Sequence, residues 1–179
     1  MNAAAAQALP ETAAPAAEDG ALALAFAGVL VRFGTLCLSQ DAACGLALHH
    51  DVTGADADLP PALRHRADEV DDVRTLLLEF AQGEAAPWLA STVAVACLGD
   101  NHLWQDLGLP SRAALSQLLR AYFPALVARN HGDMKWKKFL YKELCDRAQV
   151  LCRAPSCAVC SDYAFCFGPE EGPALPPRD

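Results

Sequence analysis

The chain has 179 residues, 53% apolar and 20% charged, which suits one compact domain with a hydrophobic core. Its net charge of −8 argues against a general nucleic-acid binder. The charge is uneven: residues 134–167 hold six Lys/Arg and three Asp/Glu, a balance of +3, so the remainder carries −11.

Residues 1–19 are Ala/Pro-rich and read as a disordered tail. They lack a basic leader, and Glu11, Glu18 and Asp19 interrupt any signal-peptide pattern, so a cytoplasmic location with reduced thiols is expected. Residues 21–38 are largely apolar. Arg32 interrupts them and no aromatic or basic anchors flank them, so they predict a buried helix and no membrane span. Residues 42–50 form a weak short segment, and residues 54–61, with Asp56, Asp58 and two prolines, read as a linker.

Residues 67–82 predict an amphipathic helix. Val70, Val73, Leu76, Leu77 and Phe80 recur at helical spacing, Glu69, Asp71 and Asp72 favour the positive N-terminal end, and Gly83 supplies a stop. Pro87 suits the first turn of a helix over residues 87–98, apolar on all sides and therefore central, although its β-branched residues also permit a strand. Ser111 caps a helix reaching Tyr122 with Leu115, Leu118 and Leu119 on one face, and Pro124 breaks or kinks it before a short continuation to Arg129. Residues 134–150 predict the last helix. Trp136, Leu140 and Leu144 line one side of it, and Lys135, Lys138 and Lys142 the other. Residues 168–179, rich in proline and glycine, read as a second tail. No period-2 pattern or hairpin turn is evident. The expected fold is all-α: a single helical domain over residues 20–167, with a cysteine-rich metal-binding loop at 151–167.

That loop carries Cys152, Cys157, Cys160 and Cys166 in the spacing C-x4-C-x2-C-x5-C. Four soft ligands within fifteen residues can wrap one metal centre at little loop-closure cost. The C-x4-C-x2-C spacing occurs in plant-type ferredoxins, but their fourth cysteine lies much farther along. Zinc fits less well, because structural knuckles pair C-x2-C units across a longer separation. All four lysines of the chain lie between residues 135 and 142, and with Arg147 and Arg153 they favour thiolates nearby. Lys135, Lys138 and Lys142 are therefore candidates for docking an acidic partner or an oxyanion.

The stretches HLWQDLGL (residues 102–109), MKWKKFLYKELC (134–145) and LCRAPSCAVCSDYAFCFGPEE (151–171) resemble the NifQ family of nitrogen-fixation molybdenum-delivery proteins. The resemblance covers about residues 101–171. It implies an iron–sulfur cluster able to incorporate molybdenum, with Cys152, Cys157, Cys160 and Cys166 as ligands. It implies molybdate as the source of the metal. It also implies delivery to the nitrogenase cofactor scaffold complex, with the nitrogenase iron protein taking part, for assembly of the iron–molybdenum cofactor.

Other residues stand apart from that motif. Cys145, shortly before the loop, is a further ligand candidate or a packing thiol. His102 is a ligand or cluster partner, or else a capping histidine with Asp106 bonding backbone N–H groups. Cys37, Cys44 and Cys97 lie in apolar surroundings and are expected in the core. No nucleophile elbow, Walker A or dinucleotide fingerprint is present, so the chain is not expected to be an enzyme. A zinc-stabilised interaction module and a simple iron–sulfur electron-transfer protein are the alternatives.

Overall fold

The computed structural model describes residues 20–25, 27–29, 61–150, 152, 157–161 and 163–171. Every regular element among them is helical, in agreement with the all-α expectation. Residues 20–25 and 27–29 are helical with Leu22, Ala25 and Val29 buried. The rest of the helix expected over 21–38, the segment at 42–50, nearly all of the 54–61 linker, the tail at 1–19, Cys37 and Cys44 lie outside the described residues. No helix among the described residues is long and apolar enough to cross a membrane.

A 3-10 turn over Pro61–Arg66 leads into α1, Ala67–Leu78, with Val70, Val73, Leu76 and Leu77 buried. The helix ends four residues before the expected end at Gln82, and Gly83 at φ +84 turns the chain toward the next element. Helix α2, Ala86–Cys97, takes Pro87 in its first turn and buries ten of its twelve residues. The helical reading therefore prevails over the strand. Its two hydroxyls stay satisfied within the helix, Ser91 Oγ donating to Pro87 O and Thr92 Oγ1 to Trp88 O. Cys97 is fully buried at its end, and burial pushes its thiol up to about 12, which suits an unreactive packing residue.

A one-turn helix, α3 (Leu103–Asp106), precedes α4 (Arg112–Tyr122), whose cap is Ser111 accepting from Ala114 N at 3.2 Å. Pro124 does not kink α4. Phe123 leaves helical geometry at φ −137 and ψ 50, and Pro124 starts a separate helix, α5 (Pro124–Arg129). Helix α6 spans Trp136–Arg147, shorter at both ends than expected. Its buried stripe is Trp136, Phe139, Leu140 and Glu143, while Leu144 is only half-buried. The charge on Glu143 is tolerated because Arg129 from α5 reaches it at 2.7 Å.

Helix α1 packs against both α2 and α6. Glu69 stitches α1 to its neighbours. It accepts from Arg66 Nε and Nη2 at 2.8 and 2.7 Å, and from the Tyr141 hydroxyl on α6. Burial alone would raise the Glu69 carboxyl, but these hydrogen bonds outweigh it and hold the group below its ordinary value of 4.5. A carboxyl depressed in the folded state contributes stability that is complete above its unfolded value and is lost as pH falls through the folded one. The urea midpoint should therefore drop as pH falls below 4.5, and Glu69→Gln should flatten that part of the curve. Parallel acid limbs for the two proteins would refute the assignment.

Candidate metal centre

Helix α6 ends where Gln149 adopts φ +56 and Val150 N donates back to Cys145 O at 2.8 Å. The chain then enters the cysteine segment, which contains more regular structure than a bare loop. Cys157–Val159 form a 3-10 turn, with Cys160 N donating to Cys157 O at 3.2 Å. That bond closes the x2 step and keeps both residues on one tight turn. Tyr163 N donates to Cys160 O and starts a short helix, α7 (Tyr163–Phe167), which carries Cys166. The rings of Tyr163 and Phe167 stack at 4.5 Å along it.

Two bonds from Lys135 pin α7 to the start of α6. Its backbone N–H donates to Cys166 O at 2.7 Å and its ammonium to Ala164 O at 3.1 Å. The folded contacts also continue past Phe167, where sequence reading begins a tail. Glu170 has a side chain 5% exposed, and its Oε1 accepts from Arg112 Nη1 at 3.0 Å. Arg112 further donates to Asp133 and to Met134 O, so one guanidinium joins α4, the turn before α6 and the segment after α7.

Cys145, Cys152, Cys157, Cys160 and Cys166 are all free thiols. Cys152 and Cys157 are exposed, and Cys160 and Cys166 are half-buried. The thiol of Cys166 is raised first by burial, while Lys138 opposes the shift and Cys157, Cys152 and Cys160 add to it. The four candidate ligands are thus near enough for their charges to be felt at one of them. Among the described residues, no three His, Cys, Asp or Glu side chains converge closely enough to hold one metal ion. The donor set nevertheless fits a cationic centre. Four thiolates confined to so short a segment repel one another until a metal offsets their charge. Cys145 sits exposed on the last turn of α6.

The lysines do not act as one face. Lys135 and Lys138 line a cleft of about 500 Å³, together with Asn101, His102, Phe165 and Glu170. Lys142 pairs with Asp146 one turn on, and lines a second cleft of about 490 Å³ that contains Cys157 and Phe167. Helix α7 therefore contributes an aromatic ring to each cleft. His102 is the N-terminal cap of α3, its backbone N–H donating to Gln105 Oε1 at 3.2 Å. Asp106 accepts from Asn101 N at 3.2 Å, so the capping arrangement is present, and the ring still faces the first cleft with Nδ1 3.9 Å from Glu170 Oε1.

Lys137 does something the sequence reading missed. Its ammonium donates to Asp106 Oδ2 at 2.5 Å and to Gly99 O at 2.8 Å, and Asp106 is 0% exposed. The carboxylate lies so close to Gly99 that a Cβ there would meet Oδ2 at 2.3 Å, which requires glycine at that position. One signal for this pair was available: Lys137 and Leu140 are three residues apart and share a helix face with the buried stripe. Nothing local marks Glu170, whose partner Arg112 lies 58 residues away.

Fold and site together define a class, an all-α protein with a thiol-rich C-terminal turn held against a basic helix. The chain belongs to the NifQ family, whose family model matches residues 20–168. It is 43% identical over 145 residues to Protein NifQ of Azotobacter vinelandii, covering 79% of this chain and 72% of that one. It is 41% identical over 119 residues to Protein NifQ of Rhodobacter capsulatus, covering 64% of each. It is 44% identical over 139 residues to a NifQ homolog of Sinorhizobium fredii, covering 71% of this chain. The chain spans less than two thirds of the length of those last two relatives, 64% and 60% respectively. No solved structure matches it significantly. Family membership places the chain in nitrogen fixation.

Proposed function

We propose that the chain is a cytoplasmic molybdenum carrier. In this reading it holds an iron–sulfur cluster on Cys152, Cys157, Cys160 and Cys166, and supplies molybdenum for assembly of the nitrogenase iron–molybdenum cofactor. The feature that supports the reading is the set of four exposed or half-buried thiols on one short segment, whose helix α7 is tied to the start of α6. Bound there, a cluster would supply sulfide and thiolate ligands for molybdenum. The chain's own residues hold, shield and present it. Lys135 fixes α7 so that Cys166 keeps its place, and Lys138 offsets negative charge beside it. The role is one of binding and transfer, with no catalytic step assigned to any side chain.

Exposed Val159, Tyr163 and Phe165 surround the cysteines, and Lys138 and Lys142 flank them. Such a surface suits an acceptor that presents apolar groups within an acidic rim. The acceptors proposed are the cofactor scaffold complex and the nitrogenase iron protein.

The test is elemental analysis of protein purified without oxygen from molybdate-fed cells, beside a Cys157→Ala variant. Iron with molybdenum is expected in the first and a loss of both in the second. Zinc alone, at about one atom per chain as structural sites carry it, would sink the proposal.

A further inference from the structure

Cys166 is held from two directions, and both lead to Arg112. The first runs through a single peptide group. Arg112 Nη2 donates to Met134 O at 3.0 Å, and on the far side of that same peptide the Lys135 N–H donates to Cys166 O at 2.7 Å. A planar trans peptide transmits position between its two ends, and hydrogen bonds in series strengthen one another. The second is direct. Arg112 Nη1 donates at 3.0 Å to Oε1 of Glu170, which follows shortly after Cys166 and has a side chain only 5% exposed. The turn between these contacts requires a clamp. Asp133 sits at φ +53, a left-handed conformation that an L residue adopts at a cost. Arg112 Nη2 holds both its carboxylate, at 2.8 Å, and its carbonyl, at 2.9 Å. Asn130 completes the turn, its Oδ1 accepting from Met134 N at 2.9 Å and its Nδ2 donating to Met134 O at 2.8 Å. Arg112 itself stands on firm ground. It is the first residue of α4, beside the Ser111 cap, and α4 buries Leu115, Leu118 and Leu119. The junction of α4 with α6 has a further attachment, Trp136 Nε1 donating to Ser116 Oγ at 3.0 Å, so it does not depend on the guanidinium.

We infer that Arg112 is a positioning residue for the thiol centre: through the Met134–Lys135 peptide and through Glu170, its guanidinium sets where Cys166 stands before any metal arrives. That Cys166 serves a metal rests on the carrier reading, whereas its placement by Arg112 rests on the hydrogen bonds alone. The task suits arginine. Its planar fork presents donors to Glu170 and to the turn at a fixed separation, where a lysine offers one point charge. A ligand fixed in advance spares the incoming metal the cost of ordering it.

The experiment uses the full chain, reduced and metal-free. It is pulsed with iodoacetamide, and labelling of Cys166, Cys145 and Cys97 is followed by peptide mass spectrometry. Exposed Cys145 is the reference, and fully buried Cys97 reports opening of the core. Arg112→Met should raise the Cys166 rate relative to Cys145 by about tenfold, the change expected when a charge-assisted hydrogen bond no longer opposes local opening. Glu170→Ala, which removes one of the two holds, should raise it less. Arg112→Lys keeps the charge and loses the fork, and should leave Cys166 more reactive than in the unmutated chain. Cys97 should stay protected in all three variants. An unchanged Cys166 rate in Arg112→Met would overturn the inference, as would full protection in Arg112→Lys, which would show that charge alone suffices. Acceleration of Cys97 by the same factor as Cys166 would also overturn it, by making Arg112 a general support of the fold. No metal takes part in these measurements, so none of them touches the iron and molybdenum content on which the carrier reading stands or falls.

Discussion

Lys137→Met is expected to destabilise the fold by about 3–5 kcal/mol, the cost typical of leaving one charge of a buried pair uncompensated. Asp106 has no exposed surface, and Lys137 pairs with it at 2.5 Å. The loss is large beside the roughly 5–15 kcal/mol that holds a domain of this size folded. It also reaches the cleft. Asp106 fixes Asn101 through its backbone N–H and side-chain amide, and Asn101 leads directly into His102. Urea denaturation of Lys137→Met, Asp106→Asn and the double variant measures the coupling. In the Asp106→Asn background the lysine substitution should cost far less, because no buried charge remains to be stranded. A single-variant loss no greater than about 0.5 kcal/mol, the level of an ordinary surface substitution, would show the pair to be incidental.

That pair also marks where sequence reasoning stops. Helices α1 and α4 were legible because their apolar residues repeat at helical spacing and because Ser111 is a strong cap with its acceptor three residues upstream of a free N–H. Helix α2 was legible as central but ambiguous in type, since a segment buried on every side loses the periodicity that separates helix from strand. On α6 a charge replaced an apolar residue in the buried stripe. Glu143 is inside because Arg129 arrives from another helix, and Leu144 is displaced outward. The spacing of the cysteines marked them as a candidate ligand set, while nothing in the sequence marked the first cleft. Its walls come from α3, α6, α7 and the segments flanking them, and Glu170 on its wall belongs to a stretch of proline, glycine and glutamate that reads as a tail. His102 carried two sequence readings, cap and ligand. The structure makes it a cap whose ring lines the cleft.

Removing the metal proposed for the cysteines, or replacing Cys160 with serine, is expected to leave the helical core standing while opening the cysteine segment to protease. The largest fully buried side chains, among them Leu76, Leu89, Leu107, Leu115 and Phe123, all precede the cysteine segment. Cys152, Cys157, Cys160 and Cys166 are exposed or half-buried, so none of them is a core residue. On its C-terminal side the segment stays tethered by Lys135 to α7 and by Arg112 to Glu170. Toward α6, the bond from Val150 N to Cys145 O closes the helix end, and Cys152, Cys157, Val159, Cys160 and Ser161 beyond it are exposed or half-buried. Local opening there costs little, and a bound metal raises that cost by mass action without altering the core. Protease cleavage between residues 150 and 163 should accelerate by about five- to thirtyfold in the metal-free protein, as a change of about 1–2 kcal/mol in local opening implies. Far-UV circular dichroism should hardly change. Cooperative loss of helicity on metal removal would instead identify the metal as a structural staple, as in zinc fingers that unfold without it. The distinction bears on the proposed function because a carrier must surrender its cargo. A protein whose core collapsed on release could complete one delivery and no more, whereas one that opens only at residues 150–163 returns ready to be loaded again.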